Sequence, residues 1–242
     1  MIDRHSSLLA LVALALILVG GLAASATDEL TTTTPVDRKG DWWQRRHEKI
    51  NARAKQGEVD LILIGDSITQ GWEGDQAQPI WEKFYGKRKA MNAGISGDRT
   101  QHVLWRLENG NIDGITPKLA IVMIGTNNAG YDSPVDIAAG LTAIVHKLRE
   151  KLPETKVLLL GIFPRGPDAD DAKRQSNLAT NQIIKSLDDG QAVYFLDISD
   201  DFLADDGTLS REIMPDLLHL NAKGYEIWAE AIEPTVAKLL AE

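Results

Sequence analysis

Residues 59–67 read Val-Asp-Leu-Ile-Leu-Ile-Gly-Asp-Ser, an apolar and β-branched run that stops abruptly at Gly65. A run of this length with glycine at its end is typical of a buried strand. In open α/β sheets, ligands bind at the carboxyl ends of the strands. We therefore expect this strand to deliver the hydroxyl of Ser67 to the edge of a sheet.

Apolar segments after this one alternate with amphipathic helical patterns. Strands are predicted at residues 89–94, 118–124, 156–163 and 192–198, and helices at residues 41–55, 79–85, 99–109, 134–152, 171–187 and 222–240. Residues 68–78 are predicted to form a loop. Because each crossover helix must pack back on the sheet, this alternation predicts an α/β fold, a three-layer α/β/α sandwich with five parallel strands.

Capping residues support the helix assignments. Ser133 before Pro134 predicts the start of one helix, and Asn221 predicts the start of the last one. Asp41 is interpreted as the N-cap of the first helix, with Gly57 as its stop.

Composition excludes several functional classes. The chain has 242 residues and a net charge of -9 without a basic stripe, which argues against nucleic acid as a partner. It contains no cysteine, so it has no disulfide, no thiolate nucleophile and no thiolate metal site. The five histidines are too scattered to indicate a metal cluster.

The first 26 residues have the pattern of a secretory signal. Arg4 precedes an apolar run over residues 8–19, and Ala24-Ser25-Ala26 fits a small-x-small cleavage site. The apolar run is short for a membrane span, which needs about 20 residues. We expect cleavage and an exported protein, periplasmic or secreted; the alternative is an uncleaved N-terminal membrane anchor. Residues 27–40 are interpreted as a polar linker, and residues 41–242 as one catalytic domain.

Polar residues follow four predicted segments, at residues 65–67, 96–98, 125–128 and 216–219. All four loops should converge at one edge of the sheet. A serine is a poor nucleophile unless a base takes its proton, and that base is usually a histidine oriented by a carboxylate.

His219 is the best candidate for the base. It follows Asp216 by three residues, so both side chains can point the same way across one turn. His5 lies in the predicted signal, and His47 and His146 lie in helices. His102 follows Gly97 closely, but no carboxylate is spaced to orient it, which favours a packing or capping role.

Attack on an ester creates an oxyanion, which needs preorganised hydrogen-bond donors. The backbone N–H groups of Ser67 and Gly97 and the side-chain amide of Asn127 are candidates. A simple turn at Gly97 and an Asx-turn at Asn127 are the alternatives. Asp66 is interpreted as structural, with its carboxylate holding the serine loop.

These residues resemble the SGNH, or GDSL-type, hydrolase family, whose signature serine, glycine, asparagine and histidine match Ser67, Gly97, Asn127 and His219. Residues 94–110, 125–128, 164–166 and 216–220 are most similar to the catalytic subunits of platelet-activating-factor acetylhydrolase. The resemblance implies a flavodoxin-like sheet and a Ser-His-Asp triad of Ser67, His219 and Asp216 without metal or other cofactor. It also implies an acyl pocket for short groups such as acetyl, lined by Ile68, Thr126 and Leu218.

Two departures limit what the resemblance implies. Ile68 stands where the family name has leucine, and the relatives are cytosolic whereas this chain has an export pattern. The lipid substrate is therefore not carried over, and acetylated carbohydrate becomes a candidate substrate. Because the relatives commonly pair, a homodimer is also an option.

The sequence therefore predicts a serine esterase for short-chain, acetyl-type carboxylic esters. The alternatives are a phospholipid acetylhydrolase or lysophospholipase-like lipase, and a non-catalytic module that binds carbohydrate or acyl groups. A nucleotide-binding protein is disfavoured, because the loop after residue 65 lacks a glycine-rich phosphate signature.

Overall fold

The computed structural model describes residues 31–241. Its five strands are β1 (Leu61–Gly65), β2 (Ala90–Gly94), β3 (Leu119–Met123), β4 (Lys156–Leu160) and β5 (Val193–Leu196). Its helices are α1 (Asp41–Ala54), α2 (Ser67–Gln70), α3 (Gln78–Phe84), α4 (Thr100–Glu108), α5 (Pro134–Lys151), α6 (Ala172–Ile184) and α7 (Ala222–Ala241). The predicted signal segment lies outside the described residues.

The five strands form one parallel sheet in the order β2-β1-β3-β4-β5. The α/β prediction is confirmed. Strand β1 is central, and its last residue, Gly65, pairs with Gly94 on one side and Met123 on the other. The loops after β1, β2 and β3 therefore leave the sheet side by side, as a shared register requires.

Two apolar cores cover the two faces of the sheet, because successive residues of a strand point to opposite faces. Ile62 and Ile64 of β1 belong to one core, which also contains buried side chains of α1, α4 and α5. Leu61 and Leu63 belong to the other, which contains buried side chains of α7. The continuous apolar run of β1 is thus explained by burial on both faces.

The predicted loop at residues 68–78 is wrong in its first half. Helix α2 begins immediately after the strand, and a 3₁₀ turn spans Gly71–Glu73. Asp66 is the N-cap, and its Oδ1 accepts a hydrogen bond of 3.0 Å from the N–H of Ile68. Four residues are too few to produce a periodic apolar pattern, so this turn left no signal in the sequence.

Two of the three N-cap predictions are confirmed and one is wrong. Ser133 accepts from the N–H of Asp136, and the Oδ1 of Asn221 accepts from the N–H of Gly224, so both predicted caps are confirmed. The prediction for Asp41 is wrong, because Gly40 is the N-cap of α1 and makes no side-chain bond. Asp41 is the first helical residue, where its negative charge suits the helix dipole.

Residues 31–40, which lie in the predicted linker, rest against the domain. The hydroxyl of Thr32 donates to the backbone oxygen of Asp136 at 2.7 Å, and the carbonyl of Thr32 accepts from the hydroxyl of Thr100 at 3.0 Å. Thr32 is completely buried. This segment therefore continues the folded domain toward the N-terminus, as far as the described residues extend.

Within residues 31–241, no helix combines the length and the apolar character that crossing a membrane would require.

Candidate active site

Ser67 is the first residue of α2 and follows β1 by only one residue. The strand therefore ends, and a helix begins, at the place where the hydroxyl must be presented. The N–H of Ser67 lies at the N-terminus of α2, so it has no acceptor within that helix. Both the hydroxyl and the N–H of Ser67 are thus available at the sheet edge.

The structure brings Ser67, His219 and Asp216 together. The Oγ of Ser67 lies 2.9 Å from the Nε2 of His219, although the two residues are 152 positions apart in the chain. The Nδ1 of His219 lies 2.6 Å from the Oδ2 of Asp216. An ionised carboxylate only accepts hydrogen bonds, so Nδ1 carries the proton and Nε2 is free to accept from the serine.

The Asp216–His219 turn is held by the backbone as well as by the side chains. The Oδ1 of Asp216 accepts from the N–H groups of Leu218, at 3.0 Å, and His219, at 2.7 Å. Leu217 has a φ of 61°, the left-handed conformation that a bulky residue rarely adopts. Strained backbone of this kind is concentrated at functional sites. Here it allows the Asp216 carboxylate to accept hydrogen bonds from two backbone N–H groups and from the His219 ring.

The ionisation of Asp216 is favoured by the same contacts. Partial burial works against the charged form, but the hydrogen bonds from the His219 ring and from the His219 and Leu218 N–H groups outweigh it. The pKa of Asp216 therefore lies below its ordinary value. The side chains of Asp216 and His219 are 57% and 45% exposed, so water screens part of this effect.

Gly97 and Asn127 lie at the neighbouring strand ends. Gly97 has a φ of 72°, where glycine is favoured, and its residue is exposed. The Nδ2 of Asn127 donates to the carbonyl of Asp98 at 2.9 Å and to the Oδ2 of Asp66 at 3.2 Å. These two bonds orient the Asn127 amide at the edge of the site.

Asp66 is completely buried beneath this site. Burial raises its pKa to about 7; the N–H of Ile68 acts in the opposite direction, and the nearby charge of Asp98 adds to the rise. The prediction that Asp66 holds the serine loop agrees with its two hydrogen bonds, to Ile68 and Asn127.

A buried ion pair supports the loop that carries Gly97. The Nε of Arg106 donates to the Oδ2 of Asp98 at 2.8 Å, and both side chains are completely buried. The same guanidinium donates to the backbone oxygens of Ala93, at 2.9 Å, and Gly65, at 3.2 Å. Arg106 thus ties together the ends of β1 and β2 and the loop after β2.

Sequence reasoning missed Arg106, although a signal existed. Arg106 lies three residues after Val103 on α4, so it falls on the apolar face of that helix. An arginine on such a face requires a buried acidic partner. That partner is Asp98, which lies eight residues before Arg106.

Arg38 covers Gly97 from the N-terminal segment. Its Nη1 donates to the carbonyl of Ser96 at 2.8 Å and to the Oδ1 of Asp98 at 3.1 Å. A Cβ atom added to Gly97 would lie 3.2 Å from this Nη1. Glycine at position 97 therefore satisfies both the left-handed backbone and the close approach of Arg38.

His102 has the capping role that was one of its two predicted roles. Its Nδ1 accepts a hydrogen bond of 2.9 Å from the N–H of Arg99, at the N-terminus of α4. Burial lowers its pKa to about 4, although the charge of Asp98 favours the protonated ring. A ring kept neutral in this way can act as the acceptor that the N–H requires.

The three residues assigned to an acyl pocket lie in different environments. Ile68 and Thr126 are each 2% exposed, and the hydroxyl of Thr126 accepts from Arg165 and Asn177. Leu218 is half-buried against the core that contains Ile68. Their role in holding an acyl group stays a prediction.

A cavity of about 510 Å³ opens directly beside Ser67. Its walls come from α2 and the turn after it, from the loop before α3, and from the His219 loop with the start of α7. The lining residues are Ser67, Gly71, Gly74, Asp75, Gln76, Ala77, Pro215, Asp216, His219, Leu220, Asn221 and Tyr225.

Comparison with known proteins gives a consistent result. The model of the GDSL-like Lipase/Acylhydrolase family matches residues 63–227. Platelet-activating factor acetylhydrolase IB subunit alpha1 from Homo sapiens is 38% identical over 212 residues, which cover 86% of this chain and 90% of the relative.

Solved structures share the fold at lower identity. A GDSL-like lipase from Bacteroides thetaiotaomicron superimposes with a TM-score of 0.64 at 20% identity, covering 80% of this chain and 97% of the other. A carbohydrate acetylesterase family member from Sinorhizobium meliloti superimposes with a TM-score of 0.61 at 15% identity, covering 76% and 100%.

Proposed function

Because this chain belongs to the GDSL-like lipase/acylhydrolase family and is a carboxylic ester hydrolase, we propose that Ser67, His219 and Asp216 are its catalytic triad and that it cleaves short-chain, acetyl-type esters. The observation that carries the proposal is the Ser67–His219–Asp216 chain of contacts, with distances of 2.9 and 2.6 Å. Both distances lie within the reach that proton transfer requires.

The reaction follows from the roles of these atoms. The Oγ of Ser67 attacks the acyl carbon while its proton passes to the Nε2 of His219. The tetrahedral intermediate collapses, the C–O bond to the alcohol breaks, and Nε2 returns the proton to the leaving oxygen. Water then attacks the acyl-serine with His219 as the base, which releases the carboxylic acid and restores Ser67.

Three groups stabilise the oxyanion in this proposal. They are the N–H groups of Ser67 and Gly97 and the side-chain amide of Asn127. Asp216 keeps the His219 ring in the tautomer that accepts from Ser67, and it stabilises the imidazolium that forms. Asp98 and Arg106 touch none of the reacting atoms; they position Gly97 and Asn127.

Replacing Asn127 by alanine tests the oxyanion role. We expect kcat to fall by about 10²–10³-fold while KM changes little, because the amide is needed chiefly in the transition state. Steady-state kinetics on p-nitrophenyl acetate would measure the two constants separately. Thermal unfolding of the same variant controls for the lost bond to the Asp98 carbonyl, and an unchanged kcat would remove Asn127 from the mechanism.

Acetylated carbohydrate is the substrate class that we propose first, on the basis of the predicted export signal. The second candidate is a phospholipid acetyl ester, which is favoured by the 38% identity to platelet-activating factor acetylhydrolase IB subunit alpha1. A non-catalytic binding module is disfavoured, because the Oγ of Ser67 lies within hydrogen-bond distance of the Nε2 of His219 and no described residue blocks the serine.

The test is hydrolysis of p-nitrophenyl esters from acetyl to decanoyl, with the Ser67→Ala variant as the background. We expect activity that depends on Ser67 and falls steeply as the acyl chain grows. A rate that rises with chain length would indicate a lipase-like enzyme instead. Absence of Ser67-dependent activity on every ester would favour the binding module.

A further inference from the structure

The cavity beside Ser67 is large enough for a small-molecule ligand. Its volume of about 510 Å³ falls within the usual range for ligand pockets, roughly 300–1,000 Å³. Both Ser67 and His219 line it, so a molecule held there reaches the reacting atoms directly.

The position of the cavity relative to the donors indicates which half of an ester it holds. Gly97 and Asn127, the proposed oxyanion donors, are absent from its lining, whereas His219 is part of it. The carbonyl oxygen must point toward the donors, and the leaving oxygen must lie where Nε2 can protonate it. We propose that this cavity is the alcohol site, an inference that rests on the proposed function.

The charge of the lining selects the chemistry of the alcohol. Asp75 and Asp216 contribute carboxylates, and no lysine or arginine is among the lining residues. A phosphate held here would face like charge without a cation to offset it. Sugar hydroxyls, in contrast, can donate to carboxylates and exchange hydrogen bonds with an amide.

Asp75 and Gln76 are the specificity-determining residues of this site. Both are exposed, and neither side chain has a hydrogen-bond or ion-pair partner among residues 31–241. Asp216 already serves His219, so Asp75 supplies the carboxylate that is free to meet the substrate. The site therefore prefers a neutral, hydroxyl-rich alcohol such as a sugar to a phosphate-bearing glycerol.

Three substrates with the same acetyl group would test this assignment. A monoacetylated methyl xyloside is neutral and carries free hydroxyls, acetylglycerol 3-phosphate is anionic, and p-nitrophenyl acetate carries neither feature. The purified protein should show a kcat/KM for the xyloside that is at least about tenfold above that for the phosphate.

Reversing the charge at position 75 should invert this preference. In Asp75→Lys we expect kcat/KM to fall about tenfold for the xyloside and to rise about fivefold for the phosphate. Gln76→Ala should lower the xyloside value by about threefold to tenfold and leave the phosphate unchanged. Asp205→Lys makes the same charge change on an exposed loop outside the cavity and is the matched control.

The ratio between substrates separates recognition from chemistry. A changed basicity of His219 would affect the xyloside and the phosphate alike, since both leave as alkoxides that take a proton from Nε2, so it would leave the ratio between them constant. A constant xyloside-to-phosphate ratio in Asp75→Lys, with hydrolysis that still depends on Ser67, would overturn the alcohol-site assignment alone. Altered acyl-chain selectivity in that variant would also overturn it, since the cavity would then hold the acyl group.

Failure of the proposed function has a different signature. Hydrolysis of p-nitrophenyl acetate that does not depend on Ser67 would remove the serine mechanism and the alcohol site together.

Discussion

Replacing Ser67 by alanine is expected to lower kcat on p-nitrophenyl acetate by about 10⁴–10⁶-fold. The variant lacks the oxygen that we propose as the nucleophile, and His219 then has no proton to take from it. A small residual rate remains from binding and from the oxyanion donors, which the substitution leaves in place.

The fold should survive this substitution. Ser67 is only half-buried, and its Oγ makes one side-chain hydrogen bond among the described residues, to His219. The unfolding temperature should therefore stay close to that of the parent protein. Ser186→Ala, which removes an exposed hydroxyl just after α6, is the matched control and should keep full activity.

A double variant sharpens the test. Residues that act as one unit are not additive, so Ser67→Ala combined with His219→Ala should be little worse than either change alone. Independent losses that multiply would contradict a shared mechanism. Retention of activity within tenfold in Ser67→Ala would exclude this serine as the nucleophile.

Replacing Arg106 by methionine is expected to lower the free energy of unfolding by about 3–5 kcal/mol. The change removes one partner of a buried ion pair and leaves the Asp98 carboxylate in the interior with a weaker set of donors. It also removes a donor from three acceptors: the carbonyls of Gly65 and Ala93 and the Oδ1 of Asn111. The Gly65 carbonyl keeps its bond from the N–H of Ile95.

Urea unfolding would measure this loss. Arg45→Met is the matched control, because Arg45 is exposed on α1, and it should change the free energy by no more than about 0.5 kcal/mol. Arg106→Lys keeps the charge but cannot reproduce the fork of donors, so it should fall between the two. A loss below about 1 kcal/mol in Arg106→Met would contradict the ion pair as a major support of the site.

The order of strands and helices could be predicted from the sequence because it depends on local pattern. The apolar run of β1 and the N-cap at Ser133 can each be recognised from a few adjacent residues. Helix α2 could not be predicted, because one turn is too short for a period and depends on a single cap from Asp66.

The candidate site could also be predicted only in part. Residue type, position at strand ends and the family resemblance were sufficient to identify the candidate residues, which are Ser67, Gly97, Asn127, Asp216 and His219. The distances between these side chains could not be predicted. Ser67 and His219 are 152 residues apart, and the ends of β1, β2 and β3 meet only when the sheet has formed. Arg38 could not be predicted, because it lies in a polar segment without a structural pattern and its bonds to Ser96 and Asp98 are formed only in the folded protein.

The sequence by itself determined the alternation of strands and helices, the edge of the sheet at which polar residues gather, and the residue types available there. These properties follow from side-chain periodicity and local hydrogen bonding, which act over a few residues. Only the tertiary structure decided that Arg106 bridges two strand ends, that Asn127 is oriented by Asp98, and which residues border the cavity beside Ser67. Those contacts join distant segments, and they exist only once the chain has formed the fold that brings the segments together.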